Sequence, residues 1–562
     1  MNTGLGTLLL AAFAAAAQQQ PAAQKPGVVE GAVVNSVTGA PLRKADVTLA
    51  NGNLTEEMVA MVKQFNKGTA MPGQHVATKT LGMSTDAEGK FRFENVAPGT
   101  YWLTVKKAGF GDVHYTPKAG GGEDGASFYL ASGQEMSRIE VRMVPHGSIS
   151  GRVLDEDGDP YPTANVTAQK YSYGRGHRRL APADFARTNG RGEFTLGNLP
   201  PGSYFICADV QNVDIAVKPP PPPADGAPET AYVGTYYPST IDVSQAQKIE
   251  VAPGGEVNGL SILLRKSRVV RVSGKLVDAG GAPIKTAQVM LMDSARVGSM
   301  SMRLVNDPEG KFELTNLQPG TYTAMVMQMQ GSSPKMTMVP LFVPEKNLEN
   351  VKLGPPPEGT IQGSVTLDGD AAVKLQDFTV ILTPAQPVAV MPATAKADSA
   401  GAFVLEHVTA ASYDLVLAHI PAGAYLKSVM FNGREALGQP LDCMAGAAGT
   451  LHIVLGTDGG RVDALVKRDD KPVSDATVVL LPADPARRFP DAVRTVSSNQ
   501  FGHALLKDVP PADYLLFAWE KIEDDQWFDP DFMKTVESGA VKVTVRSKSG
   551  ETAEVPLIPA GK

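Results

Sequence analysis

Closely spaced methionines are the residues of this chain whose type and spacing most suggest chemistry. Nine of the 20 methionines lie between residues 290 and 338, and most are separated by a single residue. They are Met290, Met292, Met300, Met302, Met325, Met327, Met329, Met336 and Met338. Alternate residues of a strand share a face, and thioether sulfur is a soft ligand suited to Cu(I) or Ag(I). The pattern indicates a soft-metal patch formed by Met290, Met292, Met325, Met327 and Met329.

Two other interpretations of these methionines stay open at this stage. In "TYTAMVMQM" the core-facing set should be Tyr322, Ala324 and Val326, so the methionines between them should face outward. The outward methionines could then form an adaptable contact surface instead of a metal site. If the assignment of faces is inverted, they are ordinary core. Aromatic residues also occur at outward positions in other sandwiches, at Trp102, Phe205 and Phe517. The outward face is therefore apolar in several sandwiches, which favours the interpretation that something covers it.

Other candidate chemistry is weaker. None of the eight histidines has Glu three residues later, so the His-x-x-Glu pair of zinc carboxypeptidases is missing. No H-E-x-x-H, G-x-S-x-G or phosphate-binding loop occurs either. Asp155, Asp157 and Asp159 alternate in "LDEDGDP" like calcium ligands, but they occupy a turn that sister segments fill with "TGAP" and "GGAP". We therefore predict a protein that is not an enzyme and needs no cofactor.

The elements around these residues are set by an internal repeat. "TDAEGKFRFENVAPGTY" at 85–101 returns at 188–204, 306–322, 397–413 and 498–514. In every copy a turn glycine precedes a tyrosine by twelve residues. The pairs are Gly89 and Tyr101, Gly192 and Tyr204, Gly310 and Tyr322, Gly401 and Tyr413, and Gly502 and Tyr514. The constant tyrosine is expected to be a core residue whose hydroxyl binds backbone at a corner, in preference to a ligand platform.

Each copy is preceded by a strand with a glycine, a turn and a second strand with one apolar face. The first strands are "VEGAVV", "ISGRVL", "VSGKLV" and "IQGSVT", and the fifth copy has Asp463 in place of the glycine. Short alternating strands between Gly- and Pro-containing turns are typical of antiparallel β-sandwiches. The combined pattern, GxV, GxP, AxVxL and TDxxGxFxFxxLxPGxY, resembles that of carboxypeptidase regulatory-like domains. The resemblance implies a transthyretin-like Greek-key sandwich, related to collagen-adhesin B-type modules and grouped with the carbohydrate-binding-like fold.

The predicted architecture is all-β, with five tandem sandwiches in a rod-like array. The predicted boundaries are 27–145, 146–268, 269–354, 358–457 and 459–559. An amphipathic stretch at about 53–66 predicts a short helical insertion in the first sandwich, because Leu54, Met58, Met61 and Phe65 recur at helical spacing. The resemblance is strongest in the first three copies.

Composition and the N-terminus bear on location and partners. The mostly apolar run from Leu5 to Ala17 ends in Ala15-Ala16-Ala17, which indicates that residues 1–17 are a secretory signal peptide, although no Lys or Arg precedes the run. The formal net charge of −7 and the lack of a basic stripe disfavour nucleic acid as a partner. Cys207 and Cys443 lie in different sandwiches and are expected to be buried free thiols.

These observations predict an exported, non-catalytic binding or structural protein of the cell envelope, in the periplasm, on the outer surface or outside the cell. The fold group makes an envelope glycan the first candidate ligand. An envelope protein held by apolar outer sheet faces is the second, and soft-metal binding by the methionine-rich third sandwich is the third. No segment after the signal peptide is long and apolar enough to span a membrane.

Overall fold

A computed structural model describes residues 25–51, 80–115, 128–174, 177–210, 212–214, 221, 227–293, 300–330, 333–369, 375, 378–385, 392–443 and 448–559. The predicted signal peptide and the predicted helical insertion at about 53–66 lie outside these residues. The chain divides into two compact units, residues 1–143 and residues 144–562. Among the described residues, no helix has the length and apolar character needed to cross a membrane.

The first unit contains one sandwich, here called module 1. A three-stranded sheet β4-β1-β8 faces a sheet β3-β2-β5-β6, to which β7 adds beside β5. The last strand, β8, runs parallel to β1. The strands are β1 (Gly27–Asn35), β2 (Asp46–Asn51), β3 (Thr80–Ser84), β4 (Lys90–Val96), β5 (Gly99–Lys106), β6 (Val113–Tyr115), β7 (Phe128–Leu130) and β8 (Glu135–Met143).

Module 2 begins the second unit and repeats this topology, with sheets β12-β9-β18 and β11-β10-β13-β16. The strands are β9 (Gly147–Leu154), β10 (Asn165–Gly174), β11 (His177–Arg187), β12 (Glu193–Leu199), β13 (Gly202–Asp209), β14 (Asn212–Asp214), β15 (Thr230–Val233), β16 (Thr235–Tyr236), β17 (Ile249–Val251), β18 (Glu256–Leu263) and β19 (Arg265–Arg268). A 3-10 helix spans Val243–Gln245.

Module 3 has sheets β23-β20-β26 and β22-β21-β24-β25. The strands are β20 (Val270–Leu276), β21 (Thr286–Asp293), β22 (Met300–Asn306), β23 (Lys311–Leu317), β24 (Gly320–Gln330), β25 (Ser333–Val343) and β26 (Leu348–Leu353). Strand β14 of module 2 joins the second sheet by pairing in parallel with β22. Module 2 therefore contributes an edge strand to the second sheet of module 3.

Module 4 has sheets β30-β27-β35-β32-β33 and β29-β28-β31-β34. The strands are β27 (Glu358–Asp368), β28 (Thr379–Pro384), β29 (Ala393–Lys396), β30 (Ala402–Thr409), β31 (Ser412–Ala418), β32 (Tyr425–Phe431), β33 (Arg434–Glu435), β34 (Leu441–Asp442) and β35 (Gly449–Gly456).

In module 5 the last strand, β43, pairs with both β36 and β41 and so joins the two layers into one sheet. The strands are β36 (Gly460–Arg468), β37 (Lys471–Pro472), β38 (Thr477–Pro482), β39 (Arg494–Ser497), β40 (His503–Val509), β41 (Ala512–Trp519), β42 (Val541–Val545) and β43 (Gly550–Ile558). Helix α1 spans Pro530–Val536, and 3-10 helices span Pro485–Arg487, Pro490–Ala492, Gln526–Phe528 and Glu537–Gly539.

The repeated tyrosines are buried at equivalent corners, as predicted. Each hydroxyl donates a hydrogen bond to the carbonyl oxygen four residues earlier. The acceptors are Ala97 for Tyr101 (2.8 Å), Pro200 for Tyr204, Gln318 for Tyr322 (2.9 Å), Thr409 for Tyr413 (3.1 Å) and Pro510 for Tyr514 (2.8 Å). The tyrosine thus fixes the turn between two strands of every sandwich.

In modules 1 to 3 the first strand needs a glycine because the backbone of the last strand approaches it closely. In modules 1 to 3 the parallel pairing of first and last strands contains a register shift next to this glycine. A Cβ on Gly274 would lie 1.9 Å from the Val351 carbonyl oxygen, and one on Gly31 would lie 2.2 Å from that of Ile139. In module 5 the pairing of β36 with β43 continues without a shift, so Asp463 fits there.

Candidate functional site

The outer face of the sheet formed by the second and fifth repeat strands carries different side chains in different modules. The residue three positions after the constant tyrosine always lies directly opposite one residue of the neighbouring strand. These pairs are Thr48 and Thr104, Thr167 and Cys207, Met290 and Met325, Ile381 and Val416, and Val479 and Phe517. The same backbone position therefore carries polar, thioether, aliphatic or aromatic side chains.

In module 3 the outer face carries a row of methionines across four strands. Met302 lies opposite Met290, Met290 opposite Met325, and Met325 opposite Met338. Met327 and Met336 form a further pair one step along the strands, and Met292 follows Met290 on its own strand. We call this surface the methionine face; it comprises Met290, Met292, Met302, Met325, Met327, Met336 and Met338.

The inward side of the same strands is the core of module 3. Val289, Leu291, Ala324 and Val326 are buried, whereas Met290, Met292, Met325 and Met327 are half-buried. The predicted faces are therefore confirmed for these four methionines, and the interpretation of them as core is wrong. Met329 occupies β24 opposite Pro334 in the register.

The methionine face is uncharged at its centre. The outward positions beside the row hold Gln288, Thr323, Pro340 and Phe342 in addition to the methionines. Gln288 donates a hydrogen bond from its amide nitrogen to the sulfur of Met302. The hydroxyl of Thr323 is buried and has no hydrogen-bond partner among the described residues. Thioether sulfur is consequently the most frequent group on this surface that could act as a metal ligand.

In module 5 the equivalent face is covered by the chain itself. Phe517 and Trp519 are stacked with their ring centroids 4.9 Å apart, and both are about 1% exposed. The segment that follows β41 folds back over them and contributes Trp527, Met533 and Val536 to a separate apolar cluster. Helix α1 is capped by Asp529, whose side chain accepts hydrogen bonds from the first backbone N–H groups.

In module 2 a smaller apolar cluster covers the outer face. Phe205, Cys207 and Tyr236 are buried, and Tyr171 packs edge-on to Phe205 with ring centroids 5.5 Å apart. Val243 of the 3-10 helix contacts the same cluster. The expectation that the outward Phe205 and Phe517 are covered is thus confirmed, and the cover is part of this chain in both modules.

A polar contact joins module 2 to module 5. Tyr173 on β10 donates a hydrogen bond from its hydroxyl to the carboxylate of Asp529. Arg178 on β11 stacks over the Tyr171 ring, 4.3 Å from its centroid, and lies 3.5 Å from Asp531. Lys170 approaches Glu523 to 3.3 Å. We call this set of residues the clasp. The tandem order of the modules predicts contacts only between successive modules. The clasp joins two modules that are not successive, so it could not be predicted from the sequence.

The contacts of the clasp change the pKa values of Asp529 and Tyr173. Burial alone would raise the pKa of the Asp529 carboxyl, but the hydrogen bonds from Tyr173 and from the backbone of Asp531 and Phe532, with the charge of Arg178, lower it below the ordinary value. Burial and the hydrogen bond to Asp529 raise the pKa of Tyr173. The pair is therefore an ionised acceptor held by a neutral phenol.

Further contacts fasten neighbouring modules within the second unit. The buried guanidinium of Arg271 in module 3 binds Glu229 of the preceding segment at 2.6 Å and Glu313 at 2.8 Å. Between modules 4 and 5, Tyr425 donates to Asp458 at 2.8 Å, and Phe489 packs against the core of module 4. These two boundaries thus each use a charge-assisted hydrogen bond, which is stronger than a neutral one.

The remaining candidate residues have local structural roles. The Asp155 carboxylate accepts hydrogen bonds from the N–H groups of Asp157 (3.0 Å) and Asp159 (2.9 Å), as expected for a hairpin turn. Cys207 and Cys443 are buried and are not joined in a disulfide, as predicted, and burial raises the pKa of Cys443 to about 11. Within the described part of the chain, no three His, Cys, Asp or Glu residues are grouped as metal ligands would be.

Comparison with known proteins gives a family match for module 1 and for the first part of module 2. Residues 28–143 and 148–219 match the sequence model of the carboxypeptidase regulatory-like domain, which confirms the resemblance for two tandem segments covering less than half of the chain. A search of curated proteins gives no match.

Several solved structures, pilins among them, align with this chain at low sequence identity. The TIE protein of Bacillus anthracis is 10% identical over 72% of each chain, with a TM-score of 0.17. The minor pilin of Streptococcus agalactiae is 12% identical over 42% of this chain and 96% of its own, with a TM-score of 0.22. The major pilin of Bacillus cereus is 12% identical over 59% of this chain and 99% of its own, with a TM-score of 0.14. Scores this low carry no argument about function.

Proposed function

We propose that this chain is a non-catalytic structural or adhesive protein of the cell envelope, exported from the cytoplasm. The observation that carries the proposal is that outer surfaces of the modules are occupied by other parts of the same chain. In modules 2 and 5 these surfaces are covered by the chain itself, and the clasp then joins the two modules to each other. In such a chain the outer surfaces serve to hold the modules in place. An enzyme would instead need side chains that converge on a substrate.

Protein partners fit the surface better than glycans do. Sugar-binding platforms commonly use exposed tryptophan rings, yet Trp519 and Trp527 are buried under the module 5 cover and Trp102 is half-buried. Large exposed apolar side chains occur instead on several different modules. They include Phe185, Phe342 and Phe501, which are 82%, 69% and 65% exposed. Aromatic side chains are enriched among the residues that dominate protein–protein binding, so these three are the proposed contact points.

The test compares binding of the purified full chain to envelope fragments before and after protease treatment, and to insoluble polysaccharides including peptidoglycan. We expect retention on envelope fragments that protease abolishes and that at least one of F185S, F342S and F501S weakens by about tenfold or more, as for a truncated hot spot. V37S removes a similarly exposed aliphatic side chain and serves as the matched control. Salt-resistant retention on polysaccharide, unaffected by protease, would replace the proposal with glycan binding.

A further inference from the structure

The methionine face brings thioether sulfurs within reach of one another. Adjacent strands lie about 4.8 Å apart, and directly opposite residues of an antiparallel pair have Cβ atoms about 4.5–5.5 Å apart. Met302, Met290, Met325 and Met338 are opposite one another in four consecutive strands. Methionine has three rotatable side-chain bonds, so three sulfurs from this row can converge on one ion above the sheet.

The side chains of the methionine face favour a soft metal cation over a hard one. The sulfurs are neutral, and among the residues that the structure describes on β21, β22, β24 and β25, the outward positions around the row hold no carboxylate or imidazole. Hard cations such as Ca²⁺ and Mg²⁺ take oxygen ligands, whereas soft thioethers favour Cu(I) and comparable monovalent ions. Partial exposure leaves the sulfurs open to an entering ion, most of all at Met336, which is 51% exposed.

Simple apolar packing does not account for the distribution of residue types. On β21 and β24 the buried inward positions hold Ala, Val, Leu, Tyr322 and Asp293, whereas Met290, Met292, Met325 and Met327 occur at outward positions. The equivalent outward pair in module 5, Val479 and Phe517, is fully buried under the segment that contains helix α1. Met290 and Met325 lie at the same position of the fold but stay half-buried.

We propose that the methionine face is a binding site for Cu(I), held by the sulfurs of Met290, Met325 and Met338, with Met302 as a fourth donor from the edge strand. The proposal concerns binding of the reduced ion and includes no electron transfer. It is independent of the structural or adhesive function proposed above.

The test titrates the anaerobic full chain with Cu(I) against a coloured Cu(I) chelator. We expect one ion per chain at this site and a loss of affinity of more than about 100-fold in M290L/M325L/M338L, because loss of even an outer-shell partner costs about 10–100-fold. Leucine conserves the apolar volume, and an unchanged thermal melt verifies that the variant folds. M83L/M136L/M430L replaces three half-buried methionines elsewhere and should bind like the natural chain.

The buried thiols provide the second comparison. C207A/C443A should retain the ion, since neither thiol lies on the methionine face. X-ray absorption of the bound copper should show sulfur neighbours in the natural chain and in the cysteine variant alike. Failure of the natural chain to compete with the chelator, unchanged affinity of the triple leucine variant, or loss of binding in the cysteine variant would each overturn the proposal.

Discussion

The hydroxyl of Tyr173 donates a hydrogen bond to the carboxylate of Asp529, although 356 residues separate them in the sequence. The bond joins the β10–β11 hairpin of module 2 to the residue that caps helix α1 in module 5. The helix in turn covers the stacked rings of Phe517 and Trp519. One contact therefore links the cap of a short helix, the cover of a sheet and the attachment of two modules.

Removal of this hydroxyl tests the strength of the clasp. We expect Y173F to lower the free energy of unfolding of the second unit by about 1–3 kcal/mol, because a hydrogen bond to a charged group is lost and its acceptor stays largely buried. D529N retains a capping oxygen but loses the charge. A double-mutant cycle in chemical denaturation should give a coupling of about 1 kcal/mol or more between the two sites. Y129F, at an exposed tyrosine of module 1, should change stability by less than about 0.5 kcal/mol.

The clasp should also weaken in acid. The pKa of Asp529 is lowered in the folded protein, so folding favours the ionised carboxylate. The resulting stabilisation is complete above the unfolded value of about 3.9 and is lost as the pH falls through the folded pKa. The stability difference between the natural chain and D529N, measured across this range, should shrink towards acid pH. A difference that grows on acidification would contradict the assignment.

The covered face of module 5 and the open face of module 3 should respond differently to truncation. Met533 is buried under the cover, and M533A should cost about 2–5 kcal/mol by leaving a cavity. M325A removes an equivalent side chain from a half-buried site and should cost only about 1 kcal/mol. M533L conserves volume and controls for loss of the sulfur. Equal costs for the two alanine variants in thermal denaturation would show that both faces are equally covered.

The glycine of the first repeat strand should not tolerate substitution where the parallel pairing contains a register shift. In G274A the new Cβ would meet the Val351 carbonyl oxygen at 1.9 Å, so we expect a loss of about 1–3 kcal/mol or more. The matched variant D463A changes the same position in module 5, where a side chain already fits, and should cost less than about 1 kcal/mol. A neutral G274A in denaturant titration would be incompatible with the register shift in module 3.

The repeat made much of each sandwich predictable from sequence. Fixed spacing between Gly310 and Tyr322 indicated the turn and the corner, and two-residue alternation placed Val326 inward and Met325 outward. These features depend on neighbours in the chain. The cover of module 5 was not predicted, because "DQWFDPDFMKTV" is short and its apolar residues could equally belong to a loop. The clasp was missed since no local pattern pairs Tyr173 with a residue 356 positions away.

The most direct test of the account is zero-length carbodiimide cross-linking of the dilute full chain, followed by identification of the linked peptides. We predict a link between Lys170 and Glu523, which lie 3.3 Å apart, within the monomer. Lys467 with Glu554 at 2.5 Å, and Lys427 with Asp368 at 2.7 Å, provide controls inside single modules. K170R keeps the charge, removes the reactive amine and should eliminate only the predicted link. Control links without the Lys170–Glu523 link, or that link in dimers alone, would contradict the attachment of module 2 to module 5.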